Sequence, residues 1–219
     1  MRVVQHVVVG LTVSVLVVGP IRAAEVALQI TDGQQRPVAD AVITLVPQKA
    51  DATAPVPRSL PARQFMGQRF ETFIPAVLIV PQGGQVVFTN EDATRHHVYS
   101  FSPAKAFEMV LAQGETSEPV KFDRTGVVAI GCNIHDRMVA HVYVTDLPWG
   151  ALTDKEGRAS FSSIPDGTYV ARLWHPRLRP GRPEPAQVVT VSGGATTVEA
   201  SLDLVPGWGH SRDRERVKY

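Results

Sequence analysis

Apolar and polar positions alternate over short stretches along most of this chain, and almost nowhere at helical spacing. Val26, Leu28 and Ile30 stand on one side of a period-two pattern that ends at the Asp32-Gly33 turn, and Pro37 restarts an extended run over Ala41 to Val46. Further strands are predicted over Phe70 to Ile74, Ala76 to Val80 and Gln85 to Thr89, the last two joined at Gly83-Gly84. Residues 90–97 read as a polar loop, and residues 98–114 as irregular. Val120 to Phe122, Val127 to Ile130 and Val139 to Thr145 complete this group; Tyr169 to Trp174, Gln187 to Val191 and Thr197 to Leu204 form a later one, after turns at Asp154 to Gly157 and Pro165-Asp166-Gly167. The prediction is an all-β chain built as sandwiches or barrels.

The pattern breaks in three places. Residues 1–24 carry Arg2, an apolar run from Val7 to Val18, and then the small residues Ala23 and Ala24, which is the plan of a cleaved secretory leader. Arg22 would stand three residues before a cut after Ala24, so an uncleaved anchor is the alternative. Residues 49–62 are polar and Pro-rich, a linker, and residues 206–219 are basic and poor in apolar side chains, a flexible tail. The organisation expected is therefore a leader (1–24), a strand pair (25–48), a linker (49–62), a central β-block (63–146), a last β-block (149–205) and the tail.

Composition adds two exclusions. The formal charge of +1 is no nucleic-acid footprint; loss of the leader removes two arginines and no acid, leaving 20 cations against 21 acids. No segment after the leader could span a bilayer, so the expected location is the periplasm. The single cysteine, Cys132, cannot close an internal disulfide there. It is either a buried small hydrophobe or a metal ligand.

The residues around it favour the ligand. Gly131-Cys132-Asn133-Ile134-His135-Asp136-Arg137-Met138 follows one predicted strand and precedes another, with Cys, His and Met three residues apart in turn. A further histidine, His96, follows the apolar strand that ends at Asn90. One thiolate, two imidazoles and a thioether make a set of mixed softness that suits copper in both of its common oxidation states. Other centres lack their donors. A two-copper electron-transfer centre needs a second cysteine, c-type haem needs Cys-x-x-Cys-His, structural zinc needs more Cys or paired His, and multicopper oxidases need His-x-His pairs. A Cys132–His135 nucleophile would lack a third partner.

Residues 63–146 resemble the cupredoxins, and within them amicyanin and plastocyanin, through the Cys-x2-His-x2-Met loop and the Asn-x5-His arrangement of Asn90 and His96. The resemblance extends to cupredoxin-like proteins of methylamine utilization. It implies a Greek-key sandwich of eight strands with one type-1 (blue) copper at one end. His96, Cys132 and His135 would be equatorial, Met138 axial, and His135 nearest solvent. It further implies a non-enzymatic carrier of single electrons, with redox partners such as a donor dehydrogenase or a cytochrome. A copper delivery or storage protein, and a metal-free structural module, are the alternatives. Two departures stand out. His97 occupies a place where blue copper proteins usually carry an Asn that ties the two ligand loops together, and Asn133-Ile134 replaces an interval that often contains Pro. Strand alternation points His97 away from the His96 face. His141 reads as a surface residue and His175 as structural.

The flanks resemble a second family. Thr153-Asp154-Lys155-Glu156-Gly157, Phe161 and Ile164-Pro165-Asp166-Gly167-Thr168-Tyr169 are similar to the second half of the carboxypeptidase regulatory-like (transthyretin-like) β-sandwich. Thr31-Asp32-Gly33 through Val42 are similar to its opening. The resemblance implies a smaller sandwich, split between 25–48 and 149–205, with the cupredoxin-like block inserted in it or packed on it.

Overall fold

The computed structural model describes residues 24–48 and 60–206, and among these the regular structure is entirely β-strand. Residues 1–23, 49–59 and 207–219, where a leader, most of a linker and a tail are expected, lie outside the described residues. Ala24, expected as the last residue of the leader, opens the first strand, buried and paired with Ile164.

Strands β1 (Ala24–Asp32) and β2 (Val42–Pro47) come first. Nine strands follow: β3 (Arg63–Gln68), β4 (Phe73–Ile74), β5 (Val77–Pro81), β6 (Gly84–Asn90), β7 (His96–Ser102), β8 (Lys105–Leu111), β9 (Val120–Phe122), β10 (Gly126–Cys132) and β11 (Val139–Thr145). The chain closes with β12 (Gly150–Leu152), β13 (Arg158–Ile164), β14 (Gly167–Trp174), β15 (Ala186–Val191) and β16 (Ala195–Leu202).

The middle strands form two facing sheets, β5-β11-β10-β7-β8 and β4-β3-β6-β9. Their inner side chains make one core, in which Met66, Phe73, Phe88 and Phe122 are fully buried. Burying side chains of this size stabilises by about 1.5–3 kcal/mol each. Three expectations are corrected here. Residues 98–114 are mostly a regular hairpin, β7–β8, because alternation at Val98 and Ser100 (inward) against Tyr99 and Phe101 (outward) continues across them. Only Phe73 and Ile74 of the expected strand 70–74 are extended, since Arg69 and Thr72 hydrogen-bond each other around a tight turn. β3 precedes that turn and pairs parallel with β6. The extra two-residue strand makes nine where the resemblance implied eight.

The outer strands form the smaller sandwich, from sheets β13-β1-β16 and β12-β2-β14-β15. Its core runs from Val26, Leu28 and Ile30 to Leu173, Val191 and Leu202. Residues 25–48 pair with strands from 149–205, with β1 and β2 in different sheets and not in the one sheet expected. Thr153 joins the two ends of the chain: its hydroxyl donates to Val38 O (2.7 Å) and accepts from Ala41 N (2.9 Å). The Tyr169 hydroxyl closes the β13–β14 corner on Pro165 O at 2.8 Å. In the β1–β2 turn, the Arg36 guanidinium and the N–H groups of Arg36 and Gln34 hold Asp32, lowering its pKa to about 2. A depressed carboxylate stabilises above its unfolded pKa, about 3.9. Asp32→Asn should therefore weaken the fold at neutral pH and flatten the loss of stability between about pH 4 and pH 2; an unchanged acid-unfolding curve would show that this turn contributes nothing.

The two sandwiches meet through Val42, Val77 and Ile79, with Leu60, Tyr143, Leu152 and Trp174 around them. His141 belongs to this contact and not to the free surface. Its ring lies 5.6 Å from that of Trp174, and burial pushes its pKa down. Its outward position on β11 is covered by the second sandwich, which strand alternation alone could not register.

Candidate metal centre

Three potential ligands are brought to one end of the larger sandwich by β7, β10 and the loop between β10 and β11. His96 opens β7 and is fully buried; Cys132 closes β10 and is 4% exposed. The two strands are in register at Cys132 and Val98. At the next pair, Gly131 and Tyr99, the Tyr99 ring end lies over the glycine, 2.9 Å from where a Cβ would stand, so a larger residue there would displace that ring. The loop then doubles back. Met138 N donates to His135 O at 3.0 Å, and Cys132 N donates to Met138 O at 3.2 Å. This ring accounts for the three-residue spacing, returning Met138 to the core beside Cys132 at 1% exposure.

Asn90 explains the spacing on the other side. Its amide donates to Thr94 O (2.8 Å) and Leu111 O (3.0 Å), and its side-chain oxygen accepts from Asp92 N (2.9 Å). The loop before His96 is thus folded around one buried amide that leaves none of its groups unpaired.

Cys132 Sγ lies 3.6 Å from His96 Nδ1 and 3.7 Å from His135 Nδ1, and all three donor atoms fall within 4.8 Å of one another. Bonds of about 2.0–2.1 Å to nitrogen and about 2.3 Å to sulfur, in a near-trigonal arrangement, place N and S about 3.6–3.8 Å apart. The separations match a first-row metal held by all three. The thiolate among imidazoles selects soft-to-intermediate ions such as copper over magnesium or calcium.

Both imidazoles have their remote nitrogens facing a carboxylate. His96 Nε2 is 2.9 Å from Asp92 Oδ2, and His135 Nε2 is 3.5 Å from Glu71 Oε1. An Nε2–H directed at a carboxylate leaves Nδ1 as the lone-pair nitrogen, which is how metal-binding histidines are oriented. Asp92 also accepts from the N–H of Phe70 (2.6 Å) and Glu71 (3.0 Å). Burial acts to raise its pKa, but the Glu71 N–H, the His96 ring and the Phe70 N–H outweigh it and hold the carboxyl below its ordinary value. Asp92 and Glu71 carried no signal in the sequence beyond charge, since their roles depend on a turn between β3 and β4 that the strand pattern concealed.

His97 faces away from His96, half-exposed, with Nε2 3.8 Å from Glu108 and its ring edge-on to Tyr99. The two ligand loops are nevertheless tied. Asn133 N donates to His97 O at 3.0 Å, so the main chain makes the link and the side chain at 97 does not. His175 is buried and accepts from Arg177 N at 3.1 Å. It stands apart from the cluster, which is the one group of its kind among the described residues.

No family model matches the chain, and no curated protein matches it. Solved structures align with part of it. A purple cupredoxin from Nitrosopumilus maritimus covers 37% of this chain and 99% of its own, at 23% identity and a TM-score of 0.34. Amicyanin from Paracoccus versutus covers 47% of this chain and 98% of its own, at 18% identity and a TM-score of 0.35. A copper-containing nitrite reductase from Thermus scotoductus matches 45% of this chain and 25% of its own, at 25% identity and a TM-score of 0.35. With overlaps of this size, the chemistry rests on the donor atoms.

Proposed function

We propose that this chain is an exported, single-copper electron carrier whose ion is held by His96, Cys132 and His135, with Met138 as the weak axial donor. The observation that supports it is one buried sulfur facing two imidazole Nδ1 atoms whose remote nitrogens both point at carboxylates. Copper in such a set supplies a one-electron couple. The chain's own residues would keep that couple fast. His96, Cys132 and Met138 are buried in a packed core, and Asn90, Asp92 and the 132–138 ring fix their positions before metal arrives. His135, its side chain 20% exposed, is the least covered donor and the edge through which a redox protein would exchange electrons. With four protein donors the site offers no open position for a substrate, so the proposed role is transfer and not catalysis.

A periplasmic location fits a lone cysteine engaged by metal, and the partners expected are a donor dehydrogenase and a cytochrome-like acceptor. We also propose that residues 63–146 are an inserted unit within a smaller sandwich of the carboxypeptidase regulatory-like kind, a docking module with no catalytic part. The supporting observations are the two separate cores and the pairing of β1 and β2 with strands after residue 149.

Voltammetry on the copper-loaded chain, set against copper loss to a chelator, tests the carrier reading. A reversible one-electron wave with slow copper loss is expected. Rapid release without a stable wave would move the protein to the delivery or storage class. Met138→Leu should raise the reduction potential, because removing a donor that favours Cu(II) leaves Cu(I) relatively better held. An unchanged potential would make Met138 a packing residue.

A further inference from the structure

The turn between β3 and β4 is built from residues unsuited to it. Phe70 and Glu71 both have positive φ, +55° and +52°, in the left-handed region that glycine and asparagine adopt readily and other side chains do not. No glycine relieves it. Instead the two consecutive N–H groups converge on the Asp92 carboxylate, Phe70 N on Oδ1 and Glu71 N on Oδ2. Strain of this kind persists only where its surroundings impose it, and it collects at functional sites. Its consequence here is geometric. The turn carries the Glu71 carboxylate to His135 Nε2, while the same Asp92 that pins the turn faces His96 Nε2.

We infer that Asp92 is a positioning residue for both imidazoles of the metal centre, acting on His96 directly and on His135 through the Phe70–Glu71 turn and the Glu71 carboxylate. One buried-edge carboxylate thereby sets two ligands that lie 39 residues apart in the chain, on different loops. The inference rests on reading His96 and His135 as ligands, but its content is the orientation of two rings before any metal binds. The arrangement also accounts for the composition of the turn. Glycine at both 70 and 71 would form the turn without Asp92, and the turn would then carry no information about His96. With Phe70 and Glu71 the turn depends on the carboxylate, so the loop before His96 and the edge of His135 are set together.

The test uses the full chain, metal-free and labelled with 15N, and reads each imidazole by long-range proton–nitrogen correlation, which separates the Nδ1 and Nε2 tautomers. In the wild type both His96 and His135 should be in the Nε2–H form, with that proton slow to exchange at His96, where the contact to Asp92 is a 2.9 Å hydrogen bond. Glu71→Ala should convert His135 to a mixture of tautomers and leave His96 as it was. Asp92→Ala should change both rings. Adding Phe70→Asn to Asp92→Ala should move His135 part of the way back and leave His96 altered, since asparagine accepts the left-handed conformation at one of the turn's two positive-φ positions while Glu71 keeps the other. If Asp92→Ala alters His96 while His135 keeps its wild-type pattern, the inference is wrong. If Asp92→Ala does not fold, the Glu71→Ala variant decides alone: its exposed position tolerates the change, and an unaltered His135 overturns the coupling. None of these readings involves copper. A wild type that takes up copper without colour would sink the carrier reading and leave this result standing, and the reverse holds equally.

Discussion

One equivalent of copper(II) added to the metal-free chain is expected to give an intense visible absorption band, and Cys132→Ser is expected to abolish it. The band would arise from charge transfer between a cysteine thiolate and Cu(II), and Cys132 is the only sulfur in the chain able to supply the thiolate. Its Sγ is central to the cluster, 3.6 Å and 3.7 Å from the two Nδ1 atoms. Serine at 132 keeps nearly the same shape, so the sandwich should remain folded and the loss should be of colour, not of structure. Copper affinity should fall as well, because a hydroxyl at neutral pH is a poor ligand beside a thiolate. Circular dichroism of the variant separates this outcome from unfolding. Saturation at one copper per chain is part of the prediction, since the described residues hold one such cluster. A copper-loaded wild type without the band would end the blue-copper reading, whatever the geometry.

The candidate donors drew attention in the sequence because most of them are local. Cys132, His135 and Met138 lie in a single short loop, and their spacing is set by that loop's own hydrogen bonds. His96 was legible through Asn90, whose amide closes the preceding loop over a fixed number of residues. The carboxylates facing the two imidazoles drew no attention, for a physical reason. Asp92 and Glu71 gain their roles only when β3 pairs parallel with β6 and brings its terminal turn to the metal end, and parallel neighbours leave no turn signature between them. The β7–β8 hairpin was missed because its outward positions, Phe101 and Val110 among them, are apolar although 78% and 56% exposed. That blurs the alternation on which strand reading depends. His141 was misplaced for a related cause, as its outward face is covered by a distant sandwich. The pairing of β1 and β2 with strands after residue 149 is carried by turns, Asp32-Gly33 and Asp154 to Gly157, whose residue types are visible in the sequence.

Those turns also carry the second large expected effect, that Gly157→Ala destabilises the smaller sandwich by roughly 3 kcal/mol or more. Gly157 has φ +75°, and a Cβ built on it would stand 2.3 Å from Ile30 O and 3.0 Å from Val38 N. Both obstacles are main-chain atoms of the opening segment, so no side chain can swing aside. The left-handed conformation itself would cost alanine about 1–2 kcal/mol. Relief of the clash would stretch the bond from Ile30 N to Gly157 O, now 2.7 Å, which adds about 1 kcal/mol. Gly33 is the control: it lies in the β1–β2 turn with nothing within 4 Å, and Gly33→Ala should stay within about 0.5 kcal/mol of the wild type. Urea unfolding would be followed in two ways, by tryptophan fluorescence, to which Trp149 in the smaller core contributes and residues 63–146 contribute nothing, and by the visible band of bound copper. The fluorescence transition should move to lower urea in Gly157→Ala while the copper transition holds its place, because Ile30 and Gly157 flank the insert and contribute nothing to its core. A joint shift of both transitions would mean that the two sandwiches unfold as one unit across Val42, Val77 and Ile79, and the proposal of a self-standing inserted domain would fall. A Gly157→Ala variant as stable as Gly33→Ala would show that β1 and the 154–158 turn do not meet as described.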